Sequence, residues 1–161
     1  MNASALSWIE VDSRALEHNI AAIQSNLAKG CSMVPVIKAN AYGHGYLEIA
    51  RLLDPKQFPF LAVHNLEEAL LLRAGGITTN ILILGYIPIA DLKVAVESGF
   101  DFVVANVDTL RKLAEFASAK YPAKCHLKLE TGTNRQGVNR EELTAVIECF
   151  KSTAHLKLVG V

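Results

Sequence analysis

A surplus of charge is the first thing this sequence lacks: sixteen Lys and Arg balance sixteen Asp and Glu over 161 residues. Without a net charge there is no basic surface to draw in nucleic acid, and no acidic tail is present. Cysteine is scarce. Cys31, Cys125 and Cys149 are odd in number and far apart, which makes neither a disulfide framework nor a metal site and suits a reducing compartment. They are expected as buried or half-buried thiols. His18, His64, His126 and His155 lack metal-ligand spacing. Long apolar runs are missing too: a stretch such as 81–84 falls far short of a bilayer span. The N-terminus has no basic segment and no long apolar stretch, and Glu10 and Asp12 arrive early, so no secretory leader is expected. Repeats, low-complexity tracts and linker-like composition are also absent. A chain 51% hydrophobic and 20% charged then reads as one globular domain, expected in the cytoplasm with no membrane or nucleic-acid partner.

What is present is an alternation of short apolar runs and helical segments. Residues 6–11, with Trp8 and Glu10, alternate loosely as a short strand. Asp12 or Ser13 caps a helix to about Ala28, with Leu16, Ile20, Ile23 and Leu27 on one face and Lys29-Gly30 at its end. Residues 33–37 form a strand that ends on Lys38; a small-residue loop and a helix from about Tyr46 to Leu53 follow, and Pro55 and Pro59 break the chain. Residues 60–63 are the second strand. Asn65-Leu66-Glu67-Glu68 has the spacing of a capping box and starts a helix through Arg73, closed by Gly75-Gly76. Strands follow at 81–84, 102–105, 125–129 and 156–161. Between them the pattern predicts helices over 91–97, from Asp108 to about Lys120, and over 141–151, with a polar loop at 131–137.

Short apolar strands alternating with helices at a period of roughly 20 to 30 residues mark βα units and a parallel sheet. A doubly wound sheet and a barrel both fit that pattern. The doubly wound sheet would show Gly-x-Gly-x-x-Gly after its first strand. Here the loop reads Tyr42-Gly43-His44-Gly45-Tyr46-Leu47-Glu48, with Glu48 in place of the third glycine. A barrel of TIM type needs about 250 residues and eight strands. This chain supplies six and stops on an apolar one, which alone would leave an open edge. The expected fold class is therefore α/β, a (β/α)8 barrel of TIM type, incomplete, with this chain as its front part.

Two strand ends carry chemistry. The first is Val34-Pro35-Val36-Ile37-Lys38-Ala39-Asn40-Ala41-Tyr42-Gly43-His44-Gly45: an apolar strand rises to one lysine and enters a glycine-bearing turn. Parallel α/β folds place chemistry at that end of a strand. A nucleophilic lysine must be partly neutral near neutral pH, and an apolar setting lowers its pKa. The second is Lys128-Leu129-Glu130-Thr131-Gly132-Thr133-Asn134-Arg135-Gln136-Gly137. Its arginine stays charged and offers forked donors to a carboxylate.

Lys38-Ala39-Asn40-Ala41-Tyr42-Gly43-His44-Gly45 resembles the cofactor-lysine motif of the alanine racemases, which use pyridoxal 5′-phosphate (PLP). The second stretch resembles the same family at Lys128, Thr131, Gly132, Arg135 and Gly137. It departs at Glu130, where Asp is usual, and at Thr133, where Met is usual; both departures bear on substrate preference. The resemblance implies that Lys38 is the catalytic, PLP-modified lysine that forms a Schiff base with the cofactor and serves one face of the substrate. It implies that Tyr42 gives a hydroxyl to the cofactor phosphate, and that Arg135 meets both the cofactor's phenolic oxygen and the substrate carboxylate. It makes Lys128 a position open to carbamylation, and His44 is read as a loop-fixing hydrogen-bond partner.

By the same resemblance the activity is interconversion of L- and D-alanine, supplying D-alanine for peptidoglycan, in a homodimer whose partner's C-terminal β domain brings the second base. Residues 1–11 would join such a β domain, and 12–161 would be the partial barrel; the chain ends before the β domain and is expected to be inactive alone. A racemase for serine or another amino acid, a non-catalytic PLP-binding module and a structural half-barrel stay open. The Ala-Asn-Ala-Tyr-Gly-His-Gly run argues against the related decarboxylases.

Overall fold

The computed structural model describes residues 6–53 and 58–161. Pro55 and residues 1–5 of the expected N-terminal segment 1–11 lie outside that description. Five parallel strands form one sheet: β1 (Leu61–Val63), β2 (Ile81–Ile83), β3 (Asp101–Val104), β4 (Ala123–Leu127) and β5 (Leu156–Gly160), in the order β1-β2-β3-β4-β5. Val36 adds a parallel bridge to Ala62 on the outer side of β1, with Ile37 N–H bonding Ala62 O at 2.8 Å. Six strand positions therefore run in chain order. The helices are α1 (Ser13–Gln24), α2 (Tyr46–Leu52), α3 (Leu66–Ala74), α4 (Leu92–Glu97), α5 (Val107–Phe116) and α6 (Leu143–Ser152), with a 3-10 turn, Ile89–Asp91, leading into α4.

Strand order decides between the two architectures. Crossovers between neighbouring parallel strands are right-handed in nearly all proteins, so strands laid down in sequence order put the connecting helices on the same face. A doubly wound sheet reverses its order and covers both faces. Burial follows suit. Along β4, Ala123, Cys125 and Leu127 are buried against the helices while Lys124 and His126 are half-buried on the other face. Phe102, Val104, Leu110 and Leu113 belong to the helix-side core, and a buried side chain of this size contributes about 1.5–3 kcal/mol. The other face curls. Phe60, just before β1, meets His126 of β4 edge to face with ring centroids 6.0 Å apart. Strands three places apart in a flat sheet are about 14 Å apart, so the rings meet only across a concave wall. Asp101 lies on this wall, buried, with Lys124 Nζ at 3.5 Å and His126 Nε2 at 3.7 Å. Burial pushes its carboxyl above the usual aspartate value, against the pull of those two neighbours.

Several boundaries differ from the sequence reading. The first strand, expected over 33–37, keeps only its Val36 bridge. Pro35 has no N–H to give, and its partner β1 is three residues long. α1 stops at Gln24 and not near Ala28, because the Ser25 and Asn26 side chains bond back to the Ala22 carbonyl. α5 stops at Phe116 and not Lys120. Ser118 and Tyr121 close a turn on each other, and Pro122 holds the preceding residue out of the helix. α6 starts at Leu143, two residues later than expected. Residues 6–12 carry no regular structure and pair with no described strand. Among the thiols Cys125 is buried and Cys149 half-buried, but Cys31 is exposed.

Candidate active site

Lys38 lies two residues beyond Val36 of the bridge, and its loop has a backbone that the sequence does not announce. Ala39, Asn40, Ala41 and Tyr42 have φ of 52°, 56°, 50° and 56°, a full left-handed turn made of L-residues. Such a conformation costs roughly 1–2 kcal/mol per residue, least for Asn, and persists where its surroundings over-determine it. The surroundings are visible. Ala41 N–H bonds Ile37 O at 2.9 Å, and Gly43 and Gly45 N–H both bond Asn40 O, at 2.9 and 3.0 Å. The Asn40 side chain accepts from Tyr46 N–H at 3.0 Å. His44 Nδ1 lies 2.8 Å from Ala41 O and must donate to it, which is the loop-fixing role expected of this histidine.

Glu68 ties this loop to the sheet. The expected capping box forms by half: Asn65 Oδ1 accepts from Glu68 N–H at 2.9 Å. The return bond goes one residue further back, from His64 N–H to Glu68 Oε2 at 2.6 Å. The other oxygen, Oε1, accepts from Ala39 N–H at 2.9 Å and from the Tyr46 hydroxyl at 2.5 Å. Burial alone would raise this carboxyl; the bonds from Tyr46, His64 and Ala39 outweigh it and hold it below the usual glutamate value. Burial, with the bond to Glu68, pushes the Tyr46 phenol up. The carboxylate is thus ionised and the phenol protonated, which is the arrangement the short bond requires.

Lys38, His64, Leu84, Gly85, Val103, Lys128, Arg135 and Gln136 line one cavity of about 420 Å³ at the carboxyl ends of the strands, a size usual for small-ligand sites. The structure therefore brings Lys38, Lys128 and Arg135 together from the first and fifth strand positions. It does not bring Tyr42 with them: Tyr42 is 63% exposed and absent from the lining. Glu130 turns its carboxylate onto its own loop, accepting from Gly132 N–H at 2.5 Å, and the amides of Asn134 and Gly132 hold it below its ordinary value. The loop closes where Glu130 N–H bonds Val138 O and Val138 N–H bonds Lys128 O. Gly137, at φ 147°, lets that happen, since a Cβ there would lie 2.6 Å from Glu130 N.

Sequence reasoning missed His64, Gly85 and Gln136 on the wall and Glu68 behind it. Gly85 carried a signal, a glycine directly after an apolar strand. A Cβ on it would lie 2.5 Å from His64 O, so only glycine lets β2 close on the end of β1. Among the described residues the lining holds two lysines, an arginine and a histidine, and no carboxylate. That donor set suits an anionic ligand with a phosphate or carboxylate, and its lysine suits an aldehyde; PLP with an amino acid meets both conditions.

Comparison with known proteins agrees with this geometry. The model of a family described as "Alanine racemase, N-terminal domain" matches residues 11–161. Alanine racemase 2 of Caldanaerobacter subterraneus subsp. tengcongensis is 39% identical over 155 residues, covering 95% of this chain and 40% of that protein. The solved alanine racemase of Clostridium difficile 630 superposes with a TM-score of 0.90 at 33% identity, over 99% of this chain and 42% of that one. The alanine racemase of Bacillus anthracis, solved with bound L-Ala-P, gives 0.85 at 32% identity, over 96% of this chain and 40% of that one. The chain spans about 40% of the length of such relatives. Five parallel strands in sequence order, helices on one face and a lysine-lined cavity at the strand ends fit that match, and the chain belongs to the alanine racemase family, corresponding to the N-terminal part of its barrel.

Proposed function

We propose that this chain supplies the cofactor-lysine half of a PLP-dependent alanine racemase. The observation that carries this reading is the convergence of Lys38, Lys128 and Arg135 on one cavity with no carboxylate among its described lining residues. When bound, PLP serves as the electron sink that makes the α-proton of an amino acid labile. Lys38 would be its covalent anchor until the substrate amine displaces it, and the freed Lys38 Nζ would then take and return the Cα proton on one face of the substrate. Arg135 holds the substrate carboxylate and the cofactor's phenolic oxygen through its forked donors. Carbamylation of Lys128 would turn one of two neighbouring cations into an anion and steady Arg135. Tyr42 is the proposed donor to the phosphate and would have to swing in from its exposed position.

Alanine as substrate is supported by the names of the relatives and by the L-Ala-P bound to one of them. The finer readings follow the same family: a cytoplasmic homodimer making D-alanine for peptidoglycan, with residues 1–11 joining a C-terminal β domain and 12–161 forming the barrel part. The test is borohydride reduction of the protein with PLP, followed by peptide mapping. The label is expected on Lys38 and should vanish in Lys38→Ala. Label on Lys128 or another lysine would refute the assignment.

A further inference from the structure

Glu68 is a buried charge for which the chemistry above has no use. It is 9% exposed and sits in the first turn of α3, where a capping glutamate would serve its own helix. Only half of it does so. Oε2 takes the His64 amide, just ahead of the helix, while Oε1 reaches across to Ala39 N–H and the Tyr46 hydroxyl. Ala39 is the residue after Lys38 and the first of the left-handed turn. Tyr46 opens α2 at the far end of the same loop. His64 lines the cavity that Lys38 lines. One carboxylate therefore grips both ends of the lysine loop and fastens them to the end of β1.

We propose that Glu68 is the positioning residue of Lys38: its carboxylate clamps the left-handed turn and so fixes the direction from which Lys38 enters the cavity. This rests on Lys38 being the cofactor lysine. The ionised form is the effective one, since bonds to a charged acceptor are short and strong and all three partners are donors. Glutamine would present an amide NH₂ to one set of those donors and leave an N–H without an acceptor. The titratable groups facing the carboxylate are Tyr46 and His64, with Glu67 beside Tyr46.

The test uses the 161-residue chain as wild type, Glu68→Gln and Tyr46→Phe. Without cofactor, amide hydrogen exchange is followed residue by residue by NMR. Exchange at residues 39–42 is expected to rise about tenfold or more in Glu68→Gln, and less in Tyr46→Phe. Amides in the middle of α3 should change by less than about twofold. Loosening of α3 alone, or of α3 and the loop equally, would show a helix cap and overturn the proposal. With PLP, the share of borohydride-trapped label found on Lys38 should fall about tenfold in Glu68→Gln, with Tyr46→Phe between. A loosened loop with an undiminished Lys38 share would also overturn it. A wild type that shows no preference for Lys38 would remove the cofactor role and the purpose of the clamp with it. The exchange measurement decides separately whether the clamp exists. Should Glu68→Gln not fold, Tyr46→Phe, which removes a single donor, carries both measurements.

Discussion

Two buried carboxylates oppose each other across the acid range. Glu68 faces Tyr46 and His64 and is held low. It binds fewer protons folded than unfolded, so its stabilisation is present above the ordinary glutamate value and is lost as pH falls through the depressed one. Asp101 faces Lys124 and His126 and is held high by burial. It binds more protons folded, so its stabilisation is full below the ordinary aspartate value and is lost as pH rises through the raised one. Urea unfolding between about pH 3 and pH 7 should therefore show Glu68→Gln removing a loss on acidification and Asp101→Asn removing a loss on neutralisation. Parental slopes in both variants would contradict the two assignments. At this scale Lys38, Lys128 and Arg135 were legible because each sits in a contiguous motif. Glu68 was legible only as a cap. Its second role depends on Ala39, 29 residues away, and no local pattern encodes a partner that the fold delivers.

Among the elements, the left-handed turn was the least legible. Alanine is the best right-handed helix former, so Ala39-Asn40-Ala41 gives no hint of positive φ. The sheet was plainer, because each strand is a short apolar run with turn residues at its ends; its first member shrank to a bridge for want of a Pro35 N–H. The turn makes a counterintuitive prediction. Ala39→Gly, at an exposed position, relieves about 1–2 kcal/mol of backbone strain and incurs about 0.5–1 kcal/mol of added unfolded-state entropy. Its net effect should lie between neutral and about 1.5 kcal/mol stabilising. Gly137→Ala should instead cost about 2 kcal/mol or more, since its Cβ would strike the Glu130 backbone. Chemical denaturation of both variants checks the pair. A clear loss of stability in Ala39→Gly would show that the turn carries little strain.

For the molecule as a whole, the wall of the cavity is built but its surroundings are partial. β5 leaves Leu158 and Val159 47% and 48% exposed, and the proposed reaction finds one of its two bases, Lys38, among the described residues. The 161-residue chain by itself is therefore expected to self-associate, to hold PLP weakly and to form no D-alanine from L-alanine above background. A monomeric sedimentation profile with tight PLP binding, or turnover like that of a complete racemase, would overturn this. The order of the strands bears on how the chain is made. Ile81 pairs with Leu61, Asp101 with Leu82, Lys124 with Asp101 and Leu156 with Ala123. Each strand leaving the ribosome meets a neighbour synthesised one unit before it, and none has to wait for a later strand to be slotted between two earlier ones. Translation can thus lay the wall down from one side. The lysine proposed to anchor the cofactor is in place while the arginine proposed to grip the substrate is still unmade, so the active site has a direction in time as well as in space.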